Sequence, residues 1–178
     1  MNTSLTIDPE FQSHIPKMRD DERATLEASI VAEGCREPLC CWRGILIDGH
    51  NRYSICRQHG VEFDTREIDL PDRDAVIAWI EDNQLGRRNL TNDQFRYFLG
   101  RKYERQRNRV GIKRNRDGTE AETGQSDQSG RGIETANRIA SEHGTSEKTV
   151  RRAAEYARNL DIVAEVVGTG FRESVLSG

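Results

Sequence analysis

No run of apolar residues in this chain of 178 approaches bilayer length, which excludes a membrane-spanning helix. The N-terminus, Met1-Asn2-Thr3-Ser4, also lacks the basic and apolar pattern of a secretion signal, so the chain reads as soluble and cytoplasmic. Its four cysteines, Cys35, Cys40, Cys41 and Cys56, form no CxxC pair and keep no regular spacing. Cys56 and His59 on one helical turn, with Cys40 or Cys41, have the residue types of a zinc site, but buried or incidental thiols are the simpler reading and no metal is assigned to them. Apolar residues are scarce, 34% against 32% charged, so the core is modest, although the length suits one domain and a small second one.

Charge is plentiful and segregated. Residues 1–85 carry 9 Lys/Arg against 17 Asp/Glu, whereas residues 86–116 carry 11 against 2. A chain of net charge -3 therefore contains one strongly basic segment, and local charge governs attraction to phosphate.

The stretch Gly44-Ile45-Leu46-Ile47-Asp48-Gly49-His50-Asn51-Arg52-Tyr53 organises the rest. An apolar strand meets an Asp-Gly turn, and polar residues then open a helix of roughly ten residues that closes at Gly60. Such a junction suits anions, because the first amides of a helix lack partners and carry partial positive charge. Arg52 adds a charged fork, Gly49 permits close approach of a phosphate, and His50 and Asn51 offer further donors. The alternative is structural: Asp48 caps the helix and Arg52 forms an ordinary ion pair.

Before this stretch, an irregular start ends at Ile15-Pro16. Asp20-Asp21-Glu22 then opens a helix with Leu26, Ile30 and Val31 as its apolar face and Gly34 as its stop. Pro38–Trp42 and Ile45–Ile47 read as a hairpin closed by Arg43-Gly44. A half-exposed strand over 61–68 and a helix carrying Ala75, Val76, Trp79 and Ile80 complete a small α/β unit over 1–85. Thr91-Asn92-Asp93-Gln94 fits a capping box for a basic connecting helix over 86–108, with Phe95, Phe98, Leu99 and Tyr103 on one face. Residues 109–133 hold almost nothing apolar and read as a flexible linker.

In the last segment, 134–178, Ile139 and Ala140 on a short helix, Gly144 in a turn and Ser146 capping a second helix fit a helix-turn-helix. Were it to bind double-stranded DNA, Ser146, Glu147, Lys148, Thr149, Arg151 and Arg152 would lie nearest bases and phosphates. An αα-hairpin that serves only packing is the other reading, and the basic neighbour favours DNA. Ile162, Val163, Val166 and Val167 suggest one short helix after Asp161, and Leu176-Ser177-Gly178 reads as a turn into something further. That ending implies either a fragment of a longer protein or a small plasmid or phage relative.

Together these motifs resemble ParB-type partition proteins, whose superfamily includes sulfiredoxin. The resemblance rests on Ile15-Pro16, Leu26-x-x-Ser29-Ile30, Gly34, Pro38-Leu39, Ile47–Tyr53 and Asn83-Gln84-Leu85-Gly86-Arg87-Arg88-Asn89-Leu90-Thr91, followed by the helix-turn-helix. It implies an α/β (α+β) N-terminal domain with a mixed sheet joined to an all-helical domain. By position it carries over a nucleotide site, CTP in the partition proteins, with Gly49, His50, Asn51 and Arg52 toward the phosphates. Arg87 or Arg88 would neutralise phosphate charge, and Asn83 with Glu81 would approach Mg²⁺.

The chain departs from the family pattern at His50 and Asn51, where an acidic residue and an arginine are usual, and the second motif is longer by one residue. Sulfiredoxin chemistry needs a thiolate where His50 stands. The resulting expectation is a DNA-binding protein of plasmid, phage or chromosome partition, or of transcriptional regulation, switched by a nucleotide at the Gly49–Arg52 turn. A homodimer would read paired half-sites. The rival is an enzyme, a CTPase, ParB-like nuclease or nucleotide-dependent phosphotransferase, using the same turn.

Overall fold

Two consecutive residues that both take positive φ give the right-handed twist a two-residue hairpin needs. In the computed structural model, which describes residues 4–87, 89–111 and 128–177, Arg43 and Gly44 take φ of 51° and 77°. They join β2 (Leu39–Trp42) to β3 (Ile45–Asp48) antiparallel, as the sequence predicts. β1 (Thr6–Ile7) adds parallel to β3, and β4 (Thr65–Glu67) adds parallel to β2 at the other edge. The sheet is mixed, in the order β1-β3-β2-β4.

Successive side chains on a strand point to opposite faces, and both faces here are apolar. Cys40, Trp42 and Ile47 meet Phe11 of α1 (Pro9–Ser13) and Val76 and Ile80 of α4 (Arg73–Leu85). Leu39, Cys41 and Leu46 meet Leu5 and Tyr53 of α3 (His50–His59). Ile55 and Cys56 of α3 in turn pack on Ile30 of α2 (Asp20–Glu33).

Three local expectations change. The start is not irregular: Asp8 caps α1, accepting from the Glu10 amide at 2.9 Å, and Pro9 occupies its first turn. The strand expected over 61–68 shrinks to three exposed residues, because only β2 offers it a ladder. Val31 is 55% exposed, so Leu26 and Ile30 alone carry the inner face of α2.

Contacts divide the chain into one unit ending at Asn83 and another running from Gln84 to Leu176, a boundary inside α4. The second unit contains α5 (Asn92–Gly111), α6 (Gln128–Glu142), α7 (Glu147–Val167) and α8 (Thr169–Ser177). The capping box at the start of α5 is formed: the Thr91 amide donates to Gln94 Oε1 at 2.9 Å and the Gln94 amide to Thr91 Oγ1 at 3.2 Å.

α5 is not merely a connecting helix. Its Tyr97, Phe98, Leu99 and Tyr103 lie in one core with Ile139 of α6, and with Val150, Ala153, Ala154, Ala157 and Leu160 of α7. The irregular stretch expected over 109–133 is helical at both its ends, and its remainder, 112–127, lies outside the described residues. Ile162, Val163, Val166 and Val167 continue α7 rather than forming a separate helix, and their side chains are exposed. Leu176 is not in a turn but buried in α8, where its carbonyl accepts from Gln94 Nε2 at 2.6 Å.

Gly100 sets the spacing of α5 and α7. A Cβ there would lie 2.1 Å from the Ala153 carbonyl oxygen, a backbone atom that cannot swing aside. Gly100→Ala is therefore expected to destabilise the second unit by about 3 kcal/mol or more, read as a shift of the urea transition followed by helical circular dichroism. An unchanged midpoint would show that the two backbones are not held this close.

Candidate functional site

The turn singled out in the sequence is built as a strand-to-helix junction. Asp48 ends β3, Gly49 takes φ 95° as the residue before α3, and His50 begins the helix. The first helical bond runs from the Tyr53 amide to the Gly49 carbonyl at 2.8 Å, so the amides of His50, Asn51 and Arg52 precede the ladder. Only glycine suits position 49: besides the positive φ, a Cβ would lie 2.6 Å from Leu39 Cδ2 and 3.0 Å from an Arg52 guanidinium nitrogen.

Arg52 has two internal partners. One Nη donates to Asp48 Oδ2 at 2.9 Å and the other to the Glu37 carbonyl at 3.1 Å. Both side chains of the ion pair are largely withdrawn from solvent, 20% and 12% exposed. No side chain caps α3; Asp48 serves the arginine instead.

Sequence reading missed Arg66. β2 pairs Cys40 with Arg66 on one side and with Asp48 on the other, which sets the three in a row across the sheet. Arg66 lies 3.3 Å from the Cys40 sulfur. That bond, together with the Asp48 and Glu37 carboxylates nearby, raises its pKa further. The signal was a lone arginine in a strand of three residues, with no pattern to mark it.

Other expected ligands are placed less favourably. Glu81 is buried with Oε1 3.2 Å from His14 Nδ1. Asn83 is half-buried two residues further along the same helix. Among the described residues no three His, Cys, Asp or Glu side chains gather as a metal site. Arg87 is exposed and belongs to the second unit; Arg88 lies outside the described residues.

In the second unit, α6 ends at a tight turn in which Gly144 takes φ 60°. Ser146 then caps α7, accepting from the Thr149 amide at 3.1 Å, while the two hydroxyls lie 2.8 Å apart. Ser146 and Thr149, expected at the interface, are thus engaged with each other. Arg151 pairs with Glu147, whereas Lys148 and Arg152 make no ion pair among the described residues. With Ile133 and Glu155 these side chains border an open depression along the first turns of α7.

The basic character of α5 is largely answered within the unit. Arg101 reaches Asp161 at 2.8 Å, Lys102 reaches Glu142 at 2.6 Å, and Arg96 lies over the Tyr156 ring at 4.7 Å. Lys102 holds the Glu142 carboxyl below its usual range. Burial, reinforced by the Asp161 carboxylate, pushes the Tyr97 hydroxyl up, and it donates to that carboxylate at 2.8 Å.

No family model and no curated protein matches the sequence. Among solved structures the fold is similar to a C2221 crystal form of a pNOB8-like ParB N-domain, with TM-score 0.60 and 20% identity over 91% of this chain and 69% of that one. It is also similar to a second structure of the pNOB8-like ParB N-domain, with TM-score 0.56 and 21% identity over 84% of this chain and 60% of that one. At this identity the likeness is one of fold, and it agrees with the ParB-like architecture expected from the motifs.

Removing Arg52 leaves the Asp48 carboxylate buried without its cation. Arg52→Met is expected to destabilise the first unit by about 3 kcal/mol, and Asp48→Asn in the same chain to restore most of the loss. Urea titration followed by tryptophan fluorescence reads this directly, since both tryptophans, Trp42 and Trp79, lie in that unit. A loss in the double variant equal to the sum of the losses in Arg52→Met and Asp48→Asn alone would show that the pair is not coupled.

Proposed function

We propose that this chain is a DNA-binding protein of the ParB type, acting in partition or regulation of DNA, with the first turns of α7 entering the major groove. The observation that carries the reading is the placement of Lys148, Arg151 and Arg152, exposed on the first two turns of a capped helix that follows a tight turn. Fold similarity to ParB N-domains supports it. Charge supports it: Arg101, Lys102 and Arg96 of α5 are engaged within the unit, whereas Lys148 and Arg152 of α7 are exposed and make no ion pair among the described residues.

Each phosphate contact releases condensed counterions, so affinity for duplex DNA should fall steeply with salt. Lys148→Ala and Arg152→Ala are each expected to weaken binding across sequences and to reduce the slope of log K against log salt by about one. Fluorescence anisotropy on labelled duplexes over a salt series measures both effects. A salt-independent affinity, or slopes unmoved in the variants, would overturn the reading.

A second reading assigns the Gly49–Arg52 turn to nucleotide phosphates. It is favoured by the three amides that precede the helical ladder at the start of α3, and by the guanidinium already at that turn. Calorimetric titration of CTP, ATP and GTP is expected to give saturable binding that Arg52→Lys weakens by about tenfold. That variant keeps the charge facing Asp48 and loses the fork. Absence of heat with all three nucleotides would leave the turn a structural junction.

A further inference from the structure

Two thiols from different elements meet beneath the Arg52 turn. Cys56 is fully buried in α3, beside Ile55 and Ile30. Cys35, half-buried in the loop after Gly34, packs against the same cluster, close enough for it to raise the Cys56 thiol. Cys35 also donates to the Glu37 carbonyl at 3.4 Å, the oxygen that receives Arg52 at 3.1 Å. The thiol pair and the arginine therefore share one backbone acceptor.

The other two cysteines are not organised this way. Cys40 and Cys41 follow each other on β2 and face opposite sides of the sheet. Cys41 donates to Glu67 Oε2 at 3.1 Å, and burial first, then this carboxylate, pushes its thiol up to about 12. Cys40 is occupied by Arg66.

We propose that Cys35 and Cys56 form a reversible disulfide on exposure to hydrogen peroxide, and that closing it withdraws Cys35 from the Glu37 carbonyl and alters the support of Arg52. Cys35, the more accessible sulfur, attacks the peroxide as thiolate; the O–O bond breaks, hydroxide leaves and a sulfenic acid forms. The Cys56 sulfur then attacks the Cys35 sulfur and gives up its proton. An S–S bond forms, the S–O bond breaks and water leaves. Two thiols are oxidised by two electrons in all, and one peroxide is reduced to two waters. Burial and the neighbouring Cys35 raise the Cys56 thiol to about 11, and its full burial keeps peroxide away from it, so the more accessible Cys35 sulfur is the one peroxide reaches first. A small dithiol such as dithiothreitol reverses the bond by exchange.

The test treats the native protein with equimolar hydrogen peroxide, quenches, unfolds and alkylates with N-ethylmaleimide. Mass spectrometry is expected to show loss of two hydrogens, alkylation of Cys40 and Cys41 alone, and a peptide joining Cys35 to Cys56. Cys35→Ser, at the less buried position, is expected to abolish the link while retaining the circular dichroism of the parent. Amide hydrogen exchange at residues 49–53 is expected to change on oxidation and to return with dithiothreitol. Oxygen addition at Cys35 without a link, or a link to Cys40 or Cys41, would overturn the pairing; a correct link with unchanged exchange at 49–53 would overturn the coupling to Arg52. Neither readout depends on what the turn binds.

Discussion

The second unit depends on a missing methyl group. Because Gly100 presents only a hydrogen to the Ala153 carbonyl, α5 and α7 approach until their backbones touch, and Ala153, Ala154 and Ala157 keep the seam narrow along α7. Dispersion falls off so steeply that a gap of one ångström would forfeit much of this contact. The close approach also brings Asp161 within reach of Tyr97 and Arg101 of α5, with Arg172 of α8 at 3.5 Å from the same carboxylate. One face of α7 is thereby fixed, and the face opposite it carries Lys148, Arg151 and Arg152 outward.

That geometry changes what the charge pattern means. As a string, the basic segment over 86–116 reads as the place where phosphate would bind. In the fold, Asp161 and Glu142 come from far along the chain to meet Arg101 and Lys102. Linear charge counting cannot see such pairs, since their partners are some forty to sixty residues away. Arg96 over Tyr156 is equally invisible at the level of sequence. A basic helix can therefore be a core helix whose cations clasp its neighbours.

What was legible in the chain is what local chemistry decides. Arg43-Gly44 closes its hairpin, Gly34 ends α2, Thr91 and Gln94 form their reciprocal cap, and Ser146 caps α7. Each is settled within four residues. The short β1 was not legible, because two residues carry no periodicity and are held only by pairing with Ile45 and Leu46. Asp8-Pro9, a capping residue followed by proline at the first turn, carried a signal for α1 that the reading of an irregular start passed over. The length of α7 was obscured because Ile162, Val163, Val166 and Val167 are apolar yet exposed at its end, which breaks the pattern of apolar inner and polar outer positions that marks a helix in solvent.

The Gly49–Arg52 turn was legible as a place and not as a state. Sequence left two readings open, an anion site and an ion pair, and the structure holds the ion pair, with Arg52 shared between Asp48 and the Glu37 carbonyl. These readings are not exclusive, because a phosphate offers the guanidinium the same paired oxygens that it now takes from a carboxylate and a carbonyl. Any such binding would be an exchange, its affinity reduced by the cost of uncovering Asp48. Arg66, across β2 from Asp48, also stands in the field of that carboxylate, at longer range than Arg52. A turn built in this way holds itself closed without a ligand, and any ligand for it must bring enough negative charge to compete with an aspartate already in place.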